Sequence, residues 1–552
     1  MAKIHEENIS LSRRRFLGRT AVGAVAATGL GVGLSQAKAQ DAERGRDFRW
    51  DREADVVVIG AGCSGLSGAI AARDTGASVI VVERNYDIGG MMILSGGSVH
   101  LGGGHGLQQK LGLEDSADLV FSDWIRFDHL TSRYNDREQV RKFADENAAT
   151  FEFLVENGVE FYGYASGPGD ASTVPRQFPV RPWQAFGQVY TGSNGSGLAR
   201  PLERSARRKG VEILLRHRMM TIIREEMLSG RVLGISVQLP DGVTVINIKA
   251  NKGVLICSGG MSGNVNFRRQ YDPRVTEEYQ NVSLPYNHRT ADGELAAQDI
   301  GASLWGAVNQ TSGGATTIRK PDGIGVRWGN PLILPHSPLF EEAGGIGIEP
   351  QDYQNYVIVN DVGQRFADET TEGFDDYLPR AFAWHGNPDR LDGGGPTWAI
   401  VDADGVAREG FTPEHPYVDF AHGYFHSGAT IAELASKIWN EFQTRPMPPR
   451  NLVATIERYN ALVDAGVDED FGKPSPMYKL QTPPFYALWN TCWTDDTYTG
   501  VRTNGEAEVI DRRGLKIEGL YCAGESQGGF AQHGLGRCAA FGRIAGMNAA
   551  HS

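Results

Sequence analysis

Cysteine is scarce in this chain. Its 552 residues include five, and no two form a C-x-x-C pair. A four-cysteine zinc site, a cysteine-held iron–sulfur cluster and a C-x-x-C-H haem attachment all need thiols at spacings absent here. Basic charge is also short, with 54 Lys and Arg against 67 Asp and Glu, a net charge of −13. A nucleic-acid binder would carry a basic excess, so no such partner is expected. Long apolar runs are missing too. A membrane helix takes about 20 apolar residues. The mild run Ala21 to Leu34 has 14, four of them glycine, so no integral membrane span is expected.

Glycine is the residue in excess: 70 of 552, against a usual share of about 7%. The glycines gather in loops without a period, which excludes a collagen-like or low-complexity chain. At 41% hydrophobic and 22% charged, the composition is that of a globular protein. The length suggests two to four domains.

Residues 1–39 read as an address. Ser12-Arg13-Arg14-Arg15-Phe16-Leu17 opens the mild apolar run, and Ala37-Lys38-Ala39 offers a small-residue cleavage site. This is the layout of a twin-arginine export signal, and it implies a periplasmic protein. The alternative is a disordered basic N-terminus. The twin-arginine route carries folded proteins, which suits an enzyme that takes up a cofactor before export.

Asp55-Val56-Val57-Val58-Ile59 reads as a buried parallel strand. Gly60-Ala61-Gly62-Cys63-Ser64-Gly65 follows at once, then a helical stretch from Leu66 to Arg73. A second strand, Ser78 to Val82, ends in Glu83. Gly60 permits the tight turn, Gly62 lets backbone approach a pyrophosphate, and Gly65 lets helix and strand pack closely. The helix N-terminus offers unpaired N–H groups to the phosphates. Glu83 stands where an acidic side chain bonds ribose hydroxyls. A lone G-x-G-x-x-G is a weak signal, but strand, turn, helix, strand and acid in this order make a strong one. Gly102-Gly103-Gly104 and Gly393-Gly394-Gly395 have no such context. A single site near the N-terminus fits FAD as a resident cofactor, held by Gly60, Ala61, Gly62, Ser64, Gly65 and Glu83. Cys63 fills a position that needs a small side chain and is assigned no redox role.

Further motifs follow in order. Glu83-Arg84 precedes Gly89-Gly90 and Ser95-Gly96-Gly97. Val254 to Gly260, Thr290-Ala291-Asp292-Gly293, and Asn360 to Phe366 with Asp368-Glu369 come next. Pro484-Phe485-Tyr486-Ala487 and Gly519 to Glu525 are the late markers. The ordered set resembles the flavoproteins of the fumarate reductase/succinate dehydrogenase type, including 3-ketosteroid dehydrogenases and urocanate reductases. The resemblance implies an α/β fold. A Rossmann-like, doubly wound FAD-binding domain is split between 50–268 and 440–552, and an α+β capping domain fills 269–439. Asn451 to Ala465, with helical apolar spacing, is read as the return into the FAD domain. The resemblance also gives cofactor contacts to Arg84, Gly90, Ser95, Gly96, Gly97, Asp292 and Glu525, the last on the ribityl chain.

The chain departs from its relatives at their catalytic positions. Fumarate reductases deliver a proton from an Arg seven residues after the Phe of G-x-R-F; here that position is Gly373. They hold a dicarboxylate with a His in H-H-T-M-G-G. The matching stretch here is Asp495-Asp496-Thr497-Tyr498-Thr499-Gly500, which would repel an anionic substrate. Ketosteroid dehydrogenases carry a late Tyr, where this chain has Phe530 to Arg537 without one. Tyr498 with Asp495 and Asp496 forms one candidate catalytic group. An Asp is the base, or it orients Tyr498, or the pair is a solvated turn. His533 and Arg537 form the second, touching flavin or substrate. His100 lines the pocket or packs on its loop, and His336 reaches substrate or sits on an exposed loop.

The functional expectation is an exported FAD-dependent oxidoreductase. It dehydrogenates or reduces a C–C bond of a neutral, alicyclic, steroid- or terpenoid-like compound by hydride transfer with flavin N5. Electrons pass to an outside acceptor, a quinone, a cytochrome or an iron–sulfur protein. The alternatives are an ene reductase for an unsaturated acid and a non-catalytic flavoprotein subunit of a redox complex.

Overall fold

Val56, Val57 and Val58 are fully buried, although successive side chains of a strand point to opposite faces. Val56 and Val58 enter one core, and Val57 and Ile59 enter another. Only a strand covered on both faces takes apolar residues at every position. The computed structural model describes residues 49–128, 132–163, 172–185, 188–189, 194–271, 280–281, 289–306, 311–312, 318–319, 323–324, 352–370, 396–415, 418, 420–421, 423–443, 446–490, 493–494, 496–532 and 534–552. The expected leader, His336, Gly373, Asp495 and His533 lie outside the described residues.

The elements that position the site begin with β1 (Arg52–Ile59), α1 (Cys63–Asp74), β2 (Val79–Glu83), α2 (Gly90–Leu94), α3 (Arg137–Glu156) and α4 (Ser196–Arg208). They continue with β3 (Glu212–Leu215), β4 (Arg218–Glu226), β5 (Ser229–Gln238), β6 (Val245–Ile256) and α5 (Asp292–Asp299). A second body holds β7 (Val357–Val359), β8 (Trp398–Val401), β9 (Phe425–Gly428), α6 (Ile431–Lys437), α7 (Pro449–Ala465) and β10 (Phe485–Trp489). The chain closes with β11 (Glu508–Ile510), β12 (Lys516–Cys522) and α8 (Leu535–His551).

Strands β12, β6, β1, β2 and β3 lie side by side and parallel. This is the α/β sheet expected from the sequence. β6 is long enough to serve two neighbours. Its first half pairs antiparallel with β5, and its last residues pair parallel with β12. Helices α1, α3, α4 and α8 cover one face. The other face is covered by the β4–β5 ribbon and α5, where helices alone would complete a doubly wound sheet.

Helices α1 and α8 meet at backbone distance. A Cβ on Gly542 would stand 2.3 Å from the Ser64 carbonyl oxygen, and one on Gly546 2.0 Å from that of Gly68. Glycine at these positions brings the two N-terminal ends together, and the Cys63 thiol reaches the Leu535 carbonyl at 3.5 Å.

The second sheet runs β7-β8-β10-β9, antiparallel throughout. Its strands alternate between two cores, with Ile358, Ala399 and Leu488 on one side and Val357, Trp398, Ile400 and Trp489 on the other. Leu452, Ile456 and Tyr459 of α7 pack into the second of these cores. The sequence reading sends α7 and the Pro484 to Ala487 marker back to the FAD domain from residue 440. The structure instead keeps both with the second sheet, as far as Trp489. An apolar stripe on a helix states that a face is buried, not which sheet buries it.

The stretch from Asn360 to Glu369 fastens this second body. Arg365 forms a bidentate pair with Glu369, at 2.8 and 2.9 Å, and a third bond to Asp468 at 2.8 Å. Lys473 stands 3.3 Å from Glu369 and donates to the Tyr353 and Tyr356 carbonyls. All four charged side chains are buried, and their charges cancel. Glu369→Gln leaves two buried cations facing Asp468 alone. Breaking such a pair costs about 3–5 kcal/mol. Thermal and denaturant unfolding should show the loss, and wild-type stability in the variant would refute the role of this cluster.

Candidate active site

The turn after β1 is shaped by close backbone approach. Gly60 has φ +98°, and a Cβ there would stand 2.3 Å from the Cys257 carbonyl oxygen. A Cβ on Gly65 would stand 1.9 Å from the Gly60 carbonyl oxygen. Gly62 differs. Its Cβ would meet only the Gly89 carbonyl oxygen, at 4.0 Å. The protein therefore leaves open the side of the turn at which backbone must approach a ligand. α1 starts one residue later, with no acidic residue in its first turn and no side-chain cap on its N–H groups. Such a helix end receives anions.

Pairing of β1 with β2 brings Glu83 to this turn. One carboxylate oxygen accepts the Ala61 N–H at 2.7 Å and the other the Asn85 N–H at 2.8 Å. Burial pushes its pKa up, and these bonds work against that shift. Ser64 lies where the turn after β12 crosses the start of α1, since a Cβ on Gly524 would stand 2.4 Å from its hydroxyl. Glu525 is the next residue. Gly60, Ala61, Gly62, Ser64, Gly65, Glu83 and Glu525 are thus gathered at the ends of three parallel strands.

Gly90 opens α2, and the Ser95 hydroxyl donates to the Met92 carbonyl at 2.8 Å. Gly96 is exposed, and Gly97 is buried against Asn194. Arg84 and Asp292 come together in another cluster. Arg218 bonds Asp292 through two nitrogens, at 3.0 and 3.1 Å, and Arg84 lies 3.5 Å away while donating to the Thr290 hydroxyl. The carboxylate of Asp292 is thereby held by protein cations.

The described catalytic candidates, Asp496, Tyr498 and Arg537, meet at the start of α8. Arg537 is fully buried. Its Nη1 donates to the Phe530 carbonyl at 2.8 Å, and its guanidinium carbon lies 4.9 Å from the centre of the Tyr498 ring. The Asp496 carboxylate accepts the Gly534 N–H at 2.8 Å. Glu525 accepts from Arg289 at 3.1 Å and from the Thr497 N–H at 3.2 Å. Burial pushes the Glu525 pKa up and Arg289 pulls it back, while Asp496 raises it and Arg537 lowers it. His100 is buried beside this group. Its carbonyl accepts from Gln532 at 3.0 Å, and a Cβ on Gly536 would stand 2.0 Å from the same oxygen.

Sequence reasoning missed Arg289, Thr497 and Gln532. Arg289 stands at φ +42°, unusual for a non-glycine residue, and its ion pair with Glu525 spans 236 positions. No local pattern announces such a pair.

Among the described residues, the buried polar atoms of this zone without a partner include Thr497 Oγ1, Gln532 Oε1, and Arg537 Nε and Nη2. Buried polar groups are normally satisfied. Free donors and acceptors in the zone of Glu525 fit the polar groups of bound ligands, cofactor and substrate alike. A family described as FAD binding domain matches residues 55–538. The chain belongs to this family. It is a FAD-dependent flavoprotein oxidoreductase.

The urocanate reductase of Eggerthella lenta is 26% identical to the flavoprotein over 510 residues, covering 90% of this chain and 75% of that protein. The digoxin reductase of the same organism is 25% identical and covers 94% of this chain and 90% of its own. The open conformation of a flavocytochrome c3 fumarate reductase superposes with a TM-score of 0.65 at 25% identity, over 94% of this chain and 81% of that one. The flavoprotein spans about half the length of two other curated relatives, 50% of one and 52% of another.

FAD supplies hydride chemistry at its ring when bound. The residues present would hold its pyrophosphate at Gly62 and the start of α1, its ribose at Glu83 and its ribityl chain at Glu525. Among the described residues no His, Cys, Asp and Glu group could hold a metal ion, and no helix is long and apolar enough to cross a membrane.

Proposed function

We propose that the flavoprotein adds or removes hydrogen across a C–C bond of a neutral, alicyclic compound, next to a carbonyl that activates it. The observation that carries this reading is the charge balance at Arg537. One buried guanidinium with two free nitrogens stands beside two carboxylates, Asp496 and Glu525, and Arg289 is already paired with Glu525. A dicarboxylate needs surplus positive charge, and this group has none. A single carbonyl oxygen needs only donors, and Arg537 Nε and Nη2 are donors. Such fixed donors stabilise charge that develops on oxygen during reaction. Tyr498 brings a phenol to the same guanidinium and gives or takes the matching proton. The relative named for digoxin supports a substrate that is not a small carboxylic acid.

The proposal includes export through the twin-arginine signal at Ser12 to Leu17, and electron exchange with a quinone, a cytochrome or an iron–sulfur protein. Expressed with its own leader, the chain is expected in the periplasm as a yellow protein. With artificial electron dyes, cyclic enones and saturated cyclic ketones should reoxidise or bleach its flavin, and fumarate and urocanate should not. Turnover of the acids alone would replace this reading with acid reduction. Inertness toward the whole panel would favour a non-catalytic subunit, and a yellow protein confined to the cytoplasm would remove export.

A further inference from the structure

Helix α8 starts with no acidic residue and no side-chain cap in its first turn. Its N-terminal end carries roughly half a positive charge from the aligned peptide dipoles. That end already has a counter-charge from elsewhere in the chain. Asp496, only 7% exposed, accepts the N–H of Gly534 just ahead of the helix. One turn further on, Arg537 is wholly buried and tied to the Phe530 carbonyl. Two opposite charges are thus fixed at one helix end by main-chain contacts, out of reach of solvent screening.

Both charges act on one further group. Besides burial, Arg289 and the Thr497 N–H, the carboxyl of Glu525 feels Asp496 in one direction and Arg537 in the other. Glu525 follows Gly524, whose turn meets Ser64, and it accepts the Thr497 N–H at 3.2 Å, so the residue that would hold the ribityl chain adjoins both the turn and this group. A flavin ring reached from Glu525 would therefore lie in the field of both charges. A flavin reduced by two electrons and one proton gains one negative charge. A nearby carboxylate opposes that gain and a nearby guanidinium favours it.

We propose that Asp496 and Arg537 form an opposed pair that sets the reduction potential of the bound FAD, Asp496 holding it down and Arg537 holding it up. The pair would make Asp496 a tuning residue rather than a base. The proposal rests on FAD binding and on no particular substrate.

The test is the midpoint potential of the purified holoprotein, reduced in equilibrium with reference dyes at one pH. Asp496→Asn should stabilise the reduced flavin about tenfold, an upward shift of about 30 mV for a two-electron couple. Arg537→Gln should shift it down by about the same amount, and the double variant should return close to wild type. Asp496→Glu, which keeps the charge, should stay near wild type. Lost packing alone would not move two single variants in opposite directions. Should Asp496→Asn fail to retain FAD, Arg537→Lys and Arg537→Gln decide, with the wild-type potential expected in the first and the downward shift in the second. Unchanged potentials, or shifts of one sign in both single variants, would overturn the proposal.

Discussion

Gly62→Ala is expected to yield a well-folded protein that has lost most of its hold on FAD. Gly62 lies at φ −79° and ψ −166°, which alanine adopts freely. Its Cβ would meet one protein atom, at an ordinary 4.0 Å. Gly-to-Ala changes at such compatible positions usually stabilise by about 0.4–1 kcal/mol. The apoprotein should therefore melt at or slightly above the wild-type temperature. A methyl group on the open side would press on a pyrophosphate lying against the start of α1. Overpacking of that kind costs about 1–3 kcal/mol, or about five- to 150-fold in Kd. Gly65→Ala is the contrast. Its Cβ would stand 1.9 Å from backbone, so fold and flavin should fail together. Titration of each apoprotein with FAD separates the two outcomes. An unchanged Kd in Gly62→Ala would mean that the pyrophosphate does not cross this turn.

Tyr498→Phe should remove most of the turnover while leaving the flavin bound. The substitution deletes one hydroxyl and keeps the ring on which the Arg537 guanidinium rests, 4.9 Å from its centre. Tyr498 is buried, so the ring should keep its place. Loss of a positioned proton donor or acceptor costs about 10²–10⁴ in rate. Arg537→Lys should fall in the same range. It keeps the charge that faces Asp496 and Glu525, but it loses the planar fork that bonds the Phe530 carbonyl and, on the proposed reading, would hold a substrate oxygen as well. The measurement is kcat and KM with the best substrate from the ketone panel, on protein of matched FAD content. Wild-type kcat in Tyr498→Phe would show that the proton passes elsewhere.

Much of the cofactor site was legible before any fold was known. The strand, the glycine turn, the helix and Glu83 lie within about thirty residues, and one β-α-β unit brings them together through local geometry. The second body was harder to bound. α7 shows a clean apolar stripe, yet either sheet could have received it, and only tertiary packing decided for Trp398 and Trp489. The N-x-x-G-x-R-F-x-x-E stretch was readable as a family marker. Its work as a buried tie was not, because Asp468 and Lys473 lie a hundred residues further along the chain.

The catalytic region divides in the same way. Tyr498, Asp496 and Arg537 could be named as candidates because their residue types carry the chemistry and stand at marked positions. Which way each one faces was settled by α8, whose glycines press it against α1 and bring Gly534 to Asp496 and Arg537 to Tyr498. The linear chain by itself determined the fold class and the cofactor, since these are written in runs of neighbouring residues. The three-dimensional arrangement alone decided the charge balance around Arg537. A buried charge is defined by what surrounds it, and its surroundings come from residues 289, 496, 525 and 530, which the tertiary fold brings together.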